Sequence, residues 1–269
     1  MSFVLAQALL LQEMKKVFSY RVNFWLQYVF QLIAEIGVAY FLWTAIFVST
    51  GSDNIGGYDL AGMINYYVFV ALLGRLIRGR EAFSVSTDIY EGGLTKFLVF
   101  PANYFFFKLT EHLAFMTLSL FQLLLGLLCF ILIFDFNASA FLTFSGLTMG
   151  LGLGVLASLF YFALLCTIEL VAFWADNVWS LTVMTRFILG FFGGLLLPIT
   201  LFPEWAQDLL YYTPFPAMAS MPIRLLTGEL GFNEFLSGVL TLSVWSIPLA
   251  LIMFLVWRRG IYQYTGVGQ

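Results

Sequence analysis

Residues 89–108 read IYEGGLTKFLVFPANYFFFK, the longest polar-containing segment between two hydrophobic runs on the basic side of the protein. The segment is too mixed to sit in hydrocarbon. It carries Lys96 and Lys108 and follows closely on Arg75, Arg78 and Arg80. Cations gathered in a short loop beside two hydrophobic boundaries mark a cytoplasmic loop, because such loops resist translocation. A force applied from inside a cell would enter the molecule here.

On both sides of this segment the chain is apolar. Hydrophobic residues make up 61% of the 269, charged residues 10%, and the mean hydropathy is +0.94. Soluble domains carry roughly 45–50% apolar and about 25% charged residues. Too little polar surface remains to face water, so the expected fold class is an all-α integral membrane protein. Its apolar runs of ~20 residues are then helices that cross a ~30 Å hydrocarbon core. A net charge of −3 says little as a sum; the placement of the charges says more. Cys129 and Cys166 lie within apolar runs and read as free, buried thiols rather than a disulfide or metal pair. A single histidine argues against a metal centre.

Outward from the central loop (81–101), six spans are expected at about 24–48, 60–77, 104–134, 141–173, 178–201 and 234–257. They form one transmembrane domain over 1–269. Residues 1–22 are apolar at the start, but no cation precedes that part and no small-residue cleavage site follows it, which argues against a signal peptide. Leu10, Met14 and Val17 recur at helical spacing, which predicts an amphipathic helix lying on the inner leaflet, the alternative being an extension of the first span. With six spans, Lys15, Lys16, Arg21, Arg75, Arg78, Arg80, Lys96, Lys108, Arg258 and Arg259 face one compartment and only Arg224 clearly faces the other. Both termini are therefore expected in the cytoplasm. Arg186 falls inside the fifth span, seven residues past Trp179.

In the central loop, residues 84–90 predict a short helix that Glu91, Gly92 and Gly93 interrupt; a second apolar turn resumes at Leu94 and ends at Pro101. Leu94, Phe97 and Leu98 are expected to face the cytosol, covered either by lipid or by a partner protein. At the opposite end, the segment 202–233 and its approach hold Pro198, Pro203, Pro214, Pro216 and Pro222, five of the seven prolines. Trp205, Tyr211, Tyr212 and Phe215 stand among them. This mixture predicts either short helices that dip into the outer leaflet and return, or two interfacial helices.

Polar groups within the spans are the remaining candidates, since a charge at that depth costs on the order of 3 kcal/mol unless it finds a partner or water. Glu35 has no evident partner in its own span and is read as a translocation-path or interface residue, with Gln31, Gln122, Glu111 and His112 as further candidates. Glu169 and Arg186 flank the link between the fourth and fifth spans and are read as a structural ion pair, the alternative being a substrate contact. Gly146, Gly150 and Gly154, and again Gly190 and Gly194, recur at the spacing that favours close helix packing. No phosphate-binding GxxxxGK[ST] loop is present, and no nucleophile, base and orienting group recur in a catalytic arrangement.

The order of YRVNFWLQ entering the first span, EGGLTKFLVFPANY after the second, LPITLFPEW and YYTPFPAMASMPIRLLTG between the fifth and sixth, and the tail WRRGIYQYTGVG resembles a type-2 ABC transporter permease of the compact six-span bacterial group. The resemblance runs over essentially the whole chain. It implies that Glu91, Gly92, Gly93, Leu94, Phe97, Leu98 and Pro101 form a coupling helix seated on a cytoplasmic ATPase. It implies also that Pro198, Pro203, Trp205, Tyr211, Tyr212, Pro214, Phe215 and Pro216 form a re-entrant outer gate. ATP and Mg would be bound by separate ATPase subunits, with no cofactor on this chain. Further partners would be a second permease copy or a related permease and membrane lipids, with no nucleic acid, in the bacterial inner membrane. The expected activity is export of an amphipathic or lipid-like substrate by alternating access. The rival is a stand-alone secondary transporter or intramembrane enzyme.

Overall fold

The computed structural model describes residues 11–12, 14–15, 21–79, 84–99, 103–133 and 143–265. The expected interfacial helix at 1–22 falls almost entirely outside these residues, as does Pro101. The described part is helical, apart from an isolated bridge between Ile55 and Tyr58. We number the helices α1 (Arg21–Thr50), α2 (Leu60–Arg78), α3 (Ser84–Tyr90), α4 (Leu94–Val99), α5 (Tyr104–Ile133), α6 (Phe144–Glu169), α7 (Trp179–Phe192), α8 (Glu204–Tyr211), α9 (Pro214–Met218), α10 (Ser220–Leu226) and α11 (Phe232–Gly260). Five of them, α1, α2, α5, α6 and α11, are long and apolar enough to cross a membrane.

Local chemistry sets several of the ends. Asp59 caps α2 by accepting the Gly62 N–H at 2.8 Å, and Thr143 caps α6 by accepting the Gly146 N–H at 3.0 Å. Gly79, at φ 62°, turns the chain out of α2. Eleven of the nineteen residues of α2 are buried, against four of the twenty-nine of α11, so α2 is the central rod and α11 a peripheral one. α2 packs on α1, α5 and α6, while α6 also carries α10 and α11.

The expected fifth span departs most from the sequence reading. α7 stops at Phe192 after fourteen residues, roughly 21 Å of helix against a core of ~30 Å. Beyond it the chain turns at Gly193 and Gly194, the latter at φ 92°, and a single 3-10 turn follows at Ile199–Leu201. Gly190 and Gly194 consequently do not share a helix face. The Gly146 and Gly150 spacing does serve close packing, yet its partner is the short helix α10. A Cβ at Gly146 would stand 2.6 Å from the Leu225 carbonyl oxygen, and one at Gly150 would stand 2.9 Å from that of Pro222.

Contacts at the two ends of the bundle fix how often the chain traverses it. Tyr58 meets Glu229 at one end. At the other, Tyr90 meets Ala175 and Thr95 meets Tyr264. Between Ala175 and Glu229 the chain must therefore change ends, and α7 with the irregular residues after it makes that passage. Among the described residues, five helices are long and apolar enough to cross a membrane, and α7 is a shorter apolar one.

Candidate functional site

At the end that carries Arg75, Arg78, Lys96, Arg258 and Arg259, α3 and α4 form a small two-helix knuckle under the bundle. Val85, Ile89 and Leu94 sit in an apolar cluster with Tyr104, Cys166, Leu170, Ala172 and Val178. Leu94 is 0% exposed, so it anchors the knuckle instead of facing the cytosol with Phe97 and Leu98 as the helical spacing suggested. The cause is the break before it: Gly92, at φ 72°, reverses the chain and directs the first residue of α4 inward. Phe97 is half-buried, 5.2 Å from the Tyr104 ring and 5.4 Å from Phe107, with the Lys108 ammonium 5.6 Å from its centroid. The outward apolar surface is made by Leu98 and by Val99, which is 82% exposed. Glu91 is exposed at the corner.

Polar side chains from distant helices grip this knuckle. Lys108 of α5, itself buried, pairs with Asp88 at 2.7 Å, and Tyr104 donates to the same carboxylate at 2.9 Å. Glu111 lies 3.7 Å from Lys108. Glu169, the last residue of α6, accepts the backbone N–H groups of Val85 and Ser86 at 2.8 and 3.2 Å. These donors are in the first turn of α3, where no carbonyl of that helix can reach them. Tyr90 donates to the Ala175 carbonyl at 2.9 Å; burial raises its hydroxyl above the ordinary pKa and keeps it protonated. Thr95 N–H donates to Tyr264 Oη at 3.2 Å.

Above the knuckle, α1, α2 and α7 enclose a cavity of about 630 Å³. Glu35, Arg78 and Arg186 contribute its charged groups, whereas Val38, Trp43, Tyr67, Phe187 and Leu196 supply apolar walls. Glu35 finds the partner that its own span lacks: Arg78 Nη2 lies 3.2 Å from its Oε1, and Gln31 donates to the same oxygen at 2.9 Å. Arg75 in turn donates to Gln31 Oε1 at 3.2 Å, with its guanidinium 5.5 Å from the Tyr28 ring centroid. Reciprocal partners of this kind let charges persist in an apolar bundle. They were missed because they join positions forty-three residues apart.

The other expected path residues lie apart from the cavity wall. His112 is buried between helices, with Nε2 3.0 Å from Ser158 Oγ, which donates to the Leu76 carbonyl at 2.7 Å. Gln122 is fully buried, its backbone carbonyl accepting the Tyr28 hydroxyl at 2.9 Å; of the two cysteines Cys166 is buried as expected, whereas Cys129 is exposed on the outer face of α5.

At the far end, the interruption of α7 releases backbone carbonyls that need new donors. Tyr66 donates to the Gly194 carbonyl and Tyr67 to that of Leu196, both at 2.8 Å, and Ser220 N–H donates to Gly193 at 2.8 Å. Pro198 precedes the 3-10 turn, Pro203 precedes α8, and Pro214 opens α9, in keeping with a residue that tolerates only the first helical turn. Pro214 and Pro216 are buried and Phe215 half-buried, while Trp205, Tyr211 and Tyr212 of the α8 region are exposed. Glu229 closes this end by accepting from Tyr58 at 2.8 Å, Arg224 at 2.9 Å and Thr227 at 2.9 Å. Burial and the neighbouring Glu229 carboxylate push the Tyr58 hydroxyl well above its ordinary value.

A family model described as ABC-2 family transporter protein matches residues 33–268. No curated protein matches the chain.

Proposed function

The chain belongs to the ABC-2 transporter family, and from that premise we propose that it is the permease of an ATP-driven exporter in a bacterial inner membrane. Permeases of this family are typically non-catalytic and generally work with a separate ATPase. The observation that carries the reading is the knuckle: two short helices, anchored by Leu94 and held by Asp88 and Glu169, that turn Leu98 and Val99 outward at the cation-rich end. A lever needs a stiff root and an exposed tip, and this element has both. The cation bias of that end supports a cytoplasmic location for it and for both termini.

In this reading two permease copies, identical or related, sit above two ATPase subunits that bind ATP and Mg. Closure of the ATPases on ATP pushes α3 and α4 and switches the cavity between inward and outward access. The interrupted α7 and the prolines of 198–216 form the outer gate. A cavity with charges at Glu35, Arg78 and Arg186 and apolar walls suits an amphipathic or lipid-like cargo.

Purification of the tagged protein from its native membrane should bring an ATP-binding subunit with it. Leu98→Asp/Val99→Asp should abolish that association while the permease still inserts. Wild-type association of the double variant, or isolation of the permease without any ATP-binding protein, refutes the reading.

A further inference from the structure

Among the contacts that tie the knuckle to the bundle are two charged clamps, and they lead to different places. Asp88 joins it to Lys108 and Tyr104 of α5. Among the described residues, none of α5 lines the cavity among α1, α2 and α7. Glu169 joins it to the end of α6, from which a 3-10 turn with fully buried Leu170 runs directly toward α7. Tyr90 fastens the same link at Ala175, and Asn177 accepts the Trp179 N–H at 2.8 Å where α7 begins. α7 then carries Arg186, Phe187 and Gly190 into the cavity wall. A carboxylate that accepts two N–H groups makes charge-assisted bonds, stronger and shorter than neutral ones. With Glu169 4% exposed and Val85 and Ser86 1% and 2% exposed, water has no access to replace them.

We propose that Glu169 is the positioning residue that delivers displacement of the knuckle to α7, and so to the cavity. Its carboxylate holds the first turn of α3 against the root of α7, so the two move as one body. Without it the link to α7 keeps the neutral Tyr90 bond and apolar contacts, while the charged hold of Asp88 leads to α5. The inference rests on the permease reading above, and it assigns to one side chain the charged hold between the knuckle and α7.

The test uses the permease with its co-purified ATPase in lipid nanodiscs, on a Cys129→Ser, Cys166→Ala background with spin labels at Phe41 of α1 and Met184 of α7. Both label sites are exposed. In the otherwise wild-type protein, trapping with ATP and vanadate should shift the distance between the labels. Glu169→Ala should keep vanadate-sensitive hydrolysis and lose the shift. Glu169→Gln, which retains an acceptor oxygen, should restore it. Val85→Pro removes one of the two donors at a first-turn position that tolerates proline, and should lose the shift even if Glu169→Ala fails to assemble. A wild-type shift in Glu169→Ala or Val85→Pro overturns the proposal, as does hydrolysis without a shift in the unmutated protein. Absence of any ATPase from the unmutated preparation instead overturns the permease reading itself.

Discussion

The two ends of the bundle solve opposite problems with different chemistry. At the knuckle, buried charges hold short helices to long ones: Lys108 to Asp88, and Glu169 to the first turn of α3. At the interruption of α7, neutral hydroxyls do the holding, with Tyr66 and Tyr67 supplying donors to Gly194 and Leu196. Charge-assisted bonds are roughly twice as strong as neutral ones, and a buried ion stripped of its partner is strongly destabilising. The knuckle is thus built to stay attached. The broken segment is held by neutral bonds that are individually weaker.

The sharpest way to break the contrast is Leu94→Asp. An unpaired carboxylate at this fully buried anchor should cost on the order of 3–5 kcal/mol and detach the knuckle from α5 and α6. Limited proteolysis within 80–103 should accelerate, and a variant as resistant as wild type would show that Leu94 is no anchor. A smaller effect is expected from Tyr66→Phe, which leaves the Gly194 carbonyl without its donor in a buried site and should lower stability by about 1–3 kcal/mol. Hydrogen exchange at 190–198 should rise while that at 84–99 is unchanged; equal rises in both segments would mean that the two ends are not separate units.

The smallest effect is expected from Tyr58→Phe at the partly exposed contact with Glu229, about 0.5–1 kcal/mol. Its pH dependence is more informative. Because the folded pKa of Tyr58 lies above its ordinary value of 10.0, its contribution is complete below that value and is lost as pH rises toward the folded pKa. Thermal midpoints measured from pH 8 upward should therefore fall less steeply in the phenylalanine variant than in wild type. Parallel curves would remove Tyr58 from the contact.

Much of the architecture was legible in the sequence because run length and cation placement are local properties. The expected spans at 60–77, 104–134 and 234–257 lie close to α2, α5 and α11. The interruption of α7 was hidden, since residues 187–199 are apolar and hydropathy cannot see a turn made of apolar residues. The pair Gly193-Gly194, four residues before Pro198, was the available signal. The inward turn of Leu94 was missed because helical spacing defines a face without saying which way it points. Partners for Glu35 and Glu169 come from α2 and α3, and only folding brings them together. The Gly146 and Gly150 face was legible as a contact surface, though not that a seven-residue helix would fill it.

Tyr66 and Tyr67 are consecutive on α2 and point about 100° apart around its axis, yet each finds a carbonyl of the same turn. Like a key with two teeth, the pair accepts one angular setting of the central rod. A ratchet of α2 by one residue would withdraw both teeth together, so any rearrangement of the bundle that keeps them seated must carry the 193–196 turn around with α2.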